Sequence, residues 1–167
     1  ACGVPFVGLG VWSVMATDTS LDLAAQRDVM SYATKLPFLV RCGYELSECL
    51  PGSAVGNVRV TEALAGGTGQ LNGTELYGLL DCSAWFAVAL MLNNEEAAVT
   101  HDAHFSIVAT APIGSDVTFR ARVDKRGRTL AFVSVEAAAG DRLIARATIT
   151  KSIISLAQRL RHAPPTP

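Results

Sequence analysis

Between Leu76 and Leu92 the chain has a single charged residue, Asp81, inside the run LYGLLDCSAWFAVALML. An ionised carboxylate is costly to bury unless it is paired or used, so Asp81 is the first candidate for general acid–base or nucleophilic chemistry. Other reactive types offer less. Cys2, Cys42, Cys49 and Cys82 form no C-x-x-C pair, and their irregular spacing in a chain long enough to build a core fits reduced thiols in an intracellular protein. His101 and His104 stand three apart in what reads as a strand, which predicts opposite faces and no shared metal. No metal site is expected from these spacings. Asn72-Gly73-Thr74 matches the glycosylation pattern, but it opens a helix beside an apolar run, where coincidence explains it.

Asp81 has to be held by a folded scaffold, and the composition allows one. The chain has 167 residues, half of them hydrophobic and 17% charged, enough for one domain with its own core. Its formal net charge of −1 supplies no basic field, which argues against nucleic acid as a partner. The apolar stretch from Ala84 to Leu92 is too short for a membrane span. Residues 1–18 include an apolar segment without the basic residues that open a secretory signal, and are expected to be an extension outside the core. The expected location is the cytoplasm or an organelle matrix.

Apolar positions at Leu21, Ala25, Val29, Tyr32 and Leu36 predict an amphipathic helix over 19–36, capped by Thr19 or Ser20 and closed by Pro37. Val55, Val58 and Val60 predict a strand within 54–64, followed by a glycine-rich loop at 65–69. Asn72 and Glu75 form a capping-box pattern, so a helix should start at Asn72 and run to about Leu92, buried on nearly all sides. Beyond residue 97 the pattern alternates, giving strands at 98–109, 117–123, 129–138 and 143–149. The short connections at 125–128 and 139–141 predict an antiparallel meander, with His101 facing the same way as Val99, Ala103, Phe105 and Ile107. The layout is α+β: a curved antiparallel sheet wrapped around a long central helix, with residues 19–155 as the domain and 156–167 as a C-terminal tail.

This order resembles the hotdog fold. Asn72-Gly73-Thr74 with Leu79-Leu80-Asp81, then Val99-Thr100-His101-Asp102-Ala103-His104-Phe105, then Val123 to Phe132 (VDKRGRTLAF), are similar in order and separation to the PaaI-like acyl-CoA thioesterases of the 4-hydroxybenzoyl-CoA thioesterase superfamily. The resemblance implies that Asp81 activates water or attacks a thioester directly. It implies that the Gly73 N–H polarises the thioester carbonyl and that Thr100 helps place the attacking group. Arg126, Arg128 and Thr129 would lie near the coenzyme A arm, and CoA would be part of the substrate rather than a cofactor. Asn72 and Thr74 depart from the His and Gly of many relatives, and Gly66 stands where some relatives have a water-holding Asn; Gln70 or Asn72 are the nearby residues able to replace it.

The chemistry is consistent with the residue types. A helix N-terminus has N–H groups without helical partners, and glycine at 73 leaves room for a substrate oxygen to approach one of them. Gly73 and Asp81 are eight residues apart, or roughly 12 Å along a helix at about 1.5 Å per residue. Groups acting on one carbonyl lie about 3 Å from the reacting atoms, so Asp81 of one subunit would have to meet Gly73 of another. A homodimer, or a dimer of dimers, is therefore expected. Two alternatives have distinct signatures. A hotdog hydratase would need a His beside the Asp, and none lies between Asn72 and Leu92; a non-catalytic module would bind acyl-CoA without turnover.

Overall fold

The computed structural model describes residues 23–161; the expected extension at 1–18, the caps Thr19 and Ser20, and the end of the tail lie outside them. Helix α1 (Leu23–Ala33) leads into the short helix α2 (Pro37–Cys42), which begins on Pro37. Strands β1 (Glu45–Leu50) and β2 (Ser53–Arg59) form a hairpin across Pro51-Gly52, where Gly52 takes a φ of 88° that a side chain would strain. A 3-10 turn at Glu62–Leu64 precedes helix α3 (Gly73–Ala89). Strands β3 (Glu96–Ile107), β4 (Asp116–Arg126), β5 (Leu130–Ala139) and β6 (Arg142–Ser155) follow. A short helix α4 (Leu156–Arg161) occupies the start of the segment assigned to the tail.

The six strands form one antiparallel sheet in the order β1-β2-β4-β5-β6-β3. The predicted meander holds for β4-β5-β6 only. β3 pairs with β6 at the far edge, and β2 takes the place beside β4. The physical reason lies in the connections: of those that follow β3, β4 and β5, the last two are tight, whereas residues 108–115 cross the end of the sheet. Val108 and Ala109 donate to the Ile144 carbonyl, Ala111 accepts from Leu71, and Gly114 donates to Val60.

The sheet curves around α3, which sends Leu76, Leu79, Leu80 and Phe86 into a core with Phe119, Val133, Ile144 and Ile149. A fully buried Phe86 contributes about 1.5–3 kcal/mol relative to exposure. Phe38 of α2 closes one flank of α3 over Gly78, where a Cβ would stand 2.5 Å from its ring. The buried Ser83 hydroxyl is satisfied by Tyr44 Oη at 2.9 Å and the Leu79 carbonyl at 2.8 Å.

Two expectations about α3 are corrected. It is not buried on nearly all sides: Thr74 and Tyr77 are exposed and Asp81 and Trp85 half-buried, a stripe at spacings of three and four. The capping box forms only in half. Asn72 accepts from the Thr74 N–H at 2.9 Å, but the Asn72 N–H goes to the Leu64 carbonyl and Glu75 turns to Arg41, with both of its oxygens bonded at 3.0–3.1 Å. A bidentate guanidinium is a stronger partner for the carboxylate than one backbone N–H. No helix among the described residues is long and apolar enough to cross a membrane.

Candidate active site

Asp81 sits two turns into α3 on its open stripe, and a register shift in β3 brings Thr100 to it. Between Thr100 and Asp102 the pairing with β6 gains one residue, His101. Thr100 then lies opposite Lys151 and Ala103 opposite Ile149, so two residues three apart both face α3. The bulge turns His101 outward, where its Nδ1 lies 3.1 Å from Ser152 Oγ. His104 lies opposite Thr148 and faces the same way. The two histidines therefore share the outer face, contrary to the strict alternation the sequence suggests, and His101 does not share a face with Ala103 and Phe105.

The Thr100 hydroxyl donates to Asp81, with Oδ1 at 2.8 Å and Oδ2 at 3.1 Å. Beneath them lies a residue the sequence reading did not single out. Lys151 Nζ is 2.8 Å from Asp81 Oδ1, 2.8 Å from Thr100 Oγ1 and 3.1 Å from the Asp81 carbonyl oxygen. The Lys151 side chain is 1% exposed and that of Asp81 34%. A signal for it exists in β6. Ala145, Ala147, Ile149, Lys151 and Ile153 all fall on the buried phase, and Lys151 alone among them is charged. A buried ammonium needs an anion, and Asp81 is the acid on the apolar helix.

Neighbouring Cys82 is no competitor as nucleophile. Burial, reinforced by the Asp81 carboxylate, pushes its thiol up to about 11, so it is neutral near pH 7. The stripe is flanked by aromatic rings: Tyr77 packs on Phe105 with centroids 4.7 Å apart, and Trp85 on Tyr32 at 5.6 Å.

At the start of α3, Asn72 is the N-cap and Gly73 the first helical residue. The Gly73 N–H makes no hydrogen bond among the described residues. A Cβ at Gly73 would meet only Ile107 Cδ1 at 3.5 Å, ordinary contact, so packing does not require glycine there. Nearby, Gln70 Oε1 is buried without a hydrogen-bond partner among the described residues. Gly73 and Asp81 lie on one unbroken helix, so their separation stays at roughly 12 Å along its axis.

The basic turn divides. Arg126 is held by Glu96, with Nη2 2.7 Å from both carboxylate oxygens, and by the Gly127 carbonyl, whereas Arg128 and Thr129 are exposed. Within the subunit the residues proposed from sequence thus form three groups: Asp81 with Thr100, Asn72 with Gly73, and the turn at 126–129.

The family model for fluoroacetyl-CoA-specific thioesterases matches residues 59–157, a span holding Asp81, Thr100 and Lys151. A thioesterase family protein from Silicibacter pomeroyi is 25% identical, with a TM-score of 0.73 over 78% of this chain and 98% of its own. Zebrafish thioesterase superfamily member 2 is 27% identical, with a TM-score of 0.68 over 78% and 96%. A phenylacetic acid degradation-related protein from Ralstonia eutropha is 25% identical, with a TM-score of 0.63 over 73% and 89%. No curated protein sequence matches significantly. With the family match covering more than half its length and a sheet wrapped around α3, the chain belongs to the fluoroacetyl-CoA-specific thioesterase family and is a hotdog-fold thioesterase.

Proposed function

We propose that the protein hydrolyses an acyl-CoA thioester to a carboxylic acid and free CoA, at a site shared by two copies of the chain. Asp81 Oδ2 takes a proton from water, whose oxygen attacks the thioester carbonyl carbon. The Gly73 N–H of the second copy stabilises the oxyanion; the C–S bond then breaks and the CoA sulfur leaves as the thiol after gaining the proton. The observation that carries the reading is the Thr100–Asp81 pair, which fixes a partly exposed carboxylate on the open stripe of α3.

Three features support the second copy. Gly73 and Asp81 are too far apart on α3 to serve one carbonyl. Strand β3 is an edge strand of 12 residues that pairs only with β6 among the described residues, and Val99 and Ile107 on it are exposed, as is Val108 just beyond it. Tyr77, on the helix stripe beside that edge, is exposed as well. Arg128 and Thr129 are the residues of the turn free to meet the CoA phosphates, since Arg126 is engaged with Glu96.

The test is free-thiol release across a panel of acyl-CoAs that includes fluoroacetyl-CoA, with wild type and Asp81→Asn. Loss of about 10²–10⁴ in kcat for the variant is expected for removal of a general base. Equal rates would remove Asp81 from the mechanism, and CoA binding without turnover of any thioester would favour a non-catalytic binding module.

A further inference from the structure

We infer that Lys151 is a positioning residue for this reaction, holding Asp81 by Oδ1 and by its backbone carbonyl so that Oδ2 is left to work on the substrate. The inference rests on the hydrolytic reading above. An ammonium has three N–H donors and no acceptor, and Lys151 has three oxygens within 2.8–3.1 Å: Asp81 Oδ1, Asp81 O and Thr100 Oγ1. Every donor is therefore used. Because Lys151 only donates, Thr100 Oγ1 accepts from it, and the one Thr100 proton is directed to Asp81.

The consequence is a carboxylate with two unlike oxygens. Oδ1 takes the ammonium and the shorter Thr100 contact at 2.8 Å, while Oδ2, among the described residues, has only the 3.1 Å contact with the same hydroxyl. The second Lys151 contact, to the Asp81 carbonyl, ties down the turn of α3 that carries the side chain. Position is thus fixed at both ends of the residue. Lys151 is 1% exposed and cannot itself reach a substrate, so whatever it contributes passes through Asp81 and Thr100.

Placement follows from the strand pairing. On β6, Lys151 is flanked by Thr100 on β3 and by Ala131 on β5, whose small side chain leaves the stem room across the inner face. A methionine of similar length would satisfy packing there without a buried charge.

The experiment compares wild type, Asp81→Asn, Lys151→Met and Lys151→Arg by thiol release, with kcat and KM resolved and folding checked by circular dichroism. Lys151→Met is expected to lower kcat about a hundredfold, the scale of a misplaced catalytic group, with KM within about threefold. Lys151→Arg keeps the charge but presents a planar fork in place of a tripod, so it too should lose kcat rather than KM, and it carries the test if the methionine variant does not fold. A purely structural lysine would change stability and leave kcat alone. Folded Lys151 variants with wild-type kcat, alongside an impaired Asp81→Asn, overturn the inference while the hydrolytic reading stands. An Asp81→Asn protein as active as wild type, or a wild type inactive on every thioester, overturns both.

Discussion

Lys151 and Thr100 stand directly opposite each other on β6 and β3, and both bond the carboxylate of Asp81 on α3. The ion pair is lopsided, because the lysine is 1% exposed and the aspartate 34%. The two deletions should therefore differ in cost. Asp81→Leu strands an ammonium that water does not reach, and about 3–5 kcal/mol of destabilisation is expected. Lys151→Met leaves a carboxylate that water can still solvate, so its cost should be smaller, and adding it to Asp81→Leu should recover stability. Urea unfolding of the two single variants and the double gives the order; equal losses for the two singles would contradict it.

Replacing Gly73 by proline separates fold from function at the helix start. Gly73 is the first residue of α3, its N–H makes no hydrogen bond among the described residues, and Asn72 before it is extended at φ −67°, ψ 134°. Proline is suited to that position and to that predecessor; it removes the N–H and adds a ring, and Gly73→Ala, which adds bulk but keeps the N–H, separates the two effects. In the proline variant stability should hold while kcat falls about 10²–10³-fold, the usual loss for one oxyanion donor. Unchanged kcat would remove the Gly73 N–H from the mechanism. Gly78→Ala is the counterpart on the same helix: its Cβ meets the Phe38 ring at 2.5 Å, so about 1–3 kcal/mol of stability should be lost.

What the sequence made legible follows from periodicity. Asp81 stood out as a charge on an apolar helix, and the strands from β3 onward stood out by alternation. Lys151 carried the same signal, a charge on the buried phase of β6, but an alternating run with Arg146 nearby hides one inward lysine among outward cations. The β3 bulge was beyond reach, because the extra residue at His101 exists only relative to the register of β6, a partner distant in sequence. The place of β3 at the far edge is non-local in the same way. The β1–β2 hairpin was available only from the turn dipeptide Pro51-Gly52, because β1, ELSECL, carries two glutamates and a serine and shows no clean apolar alternation.

Arg126 and Arg128, two residues apart, should respond to different measurements. Arg126 holds the Glu96 carboxyl below its ordinary value of 4.5, mainly by the side-chain hydrogen bond. A carboxyl with a depressed folded-state pKa adds stability above its unfolded value and loses it as pH falls through the folded one. Arg126→Met should therefore reduce stability near neutral pH, with the difference from wild type shrinking below pH about 4.5. Arg128→Ala should leave thermal stability alone and raise KM for CoA thioesters, with the gap closing at high salt, because an exposed cation facing phosphates is screened. An Arg128→Ala protein with wild-type KM at low salt would remove the turn from the CoA site.

The site shared between two copies makes the most demanding prediction. If Asp81 of one copy serves the same carbonyl as Gly73 of the other, Asp81→Asn and Gly73→Pro damage opposite halves of one site. Each homodimer then has two broken sites. A mixed dimer has one site carrying both lesions and one carrying neither. Random exchange of equal amounts yields half mixed dimers, so about a quarter of wild-type activity should return on mixing two inactive proteins. Sedimentation of each variant must show the wild-type assembly, and Val108→Lys at the exposed β3 edge should weaken that assembly and activity together while leaving the fold intact. No recovery on mixing proteins shown to exchange subunits would place both groups of each site in one chain, which the roughly 12 Å between them along α3 forbids for a single carbonyl. Such a result would therefore exclude Gly73 as the oxyanion donor and leave the pair of Asp81 and Thr100 to work with a different electrophilic partner.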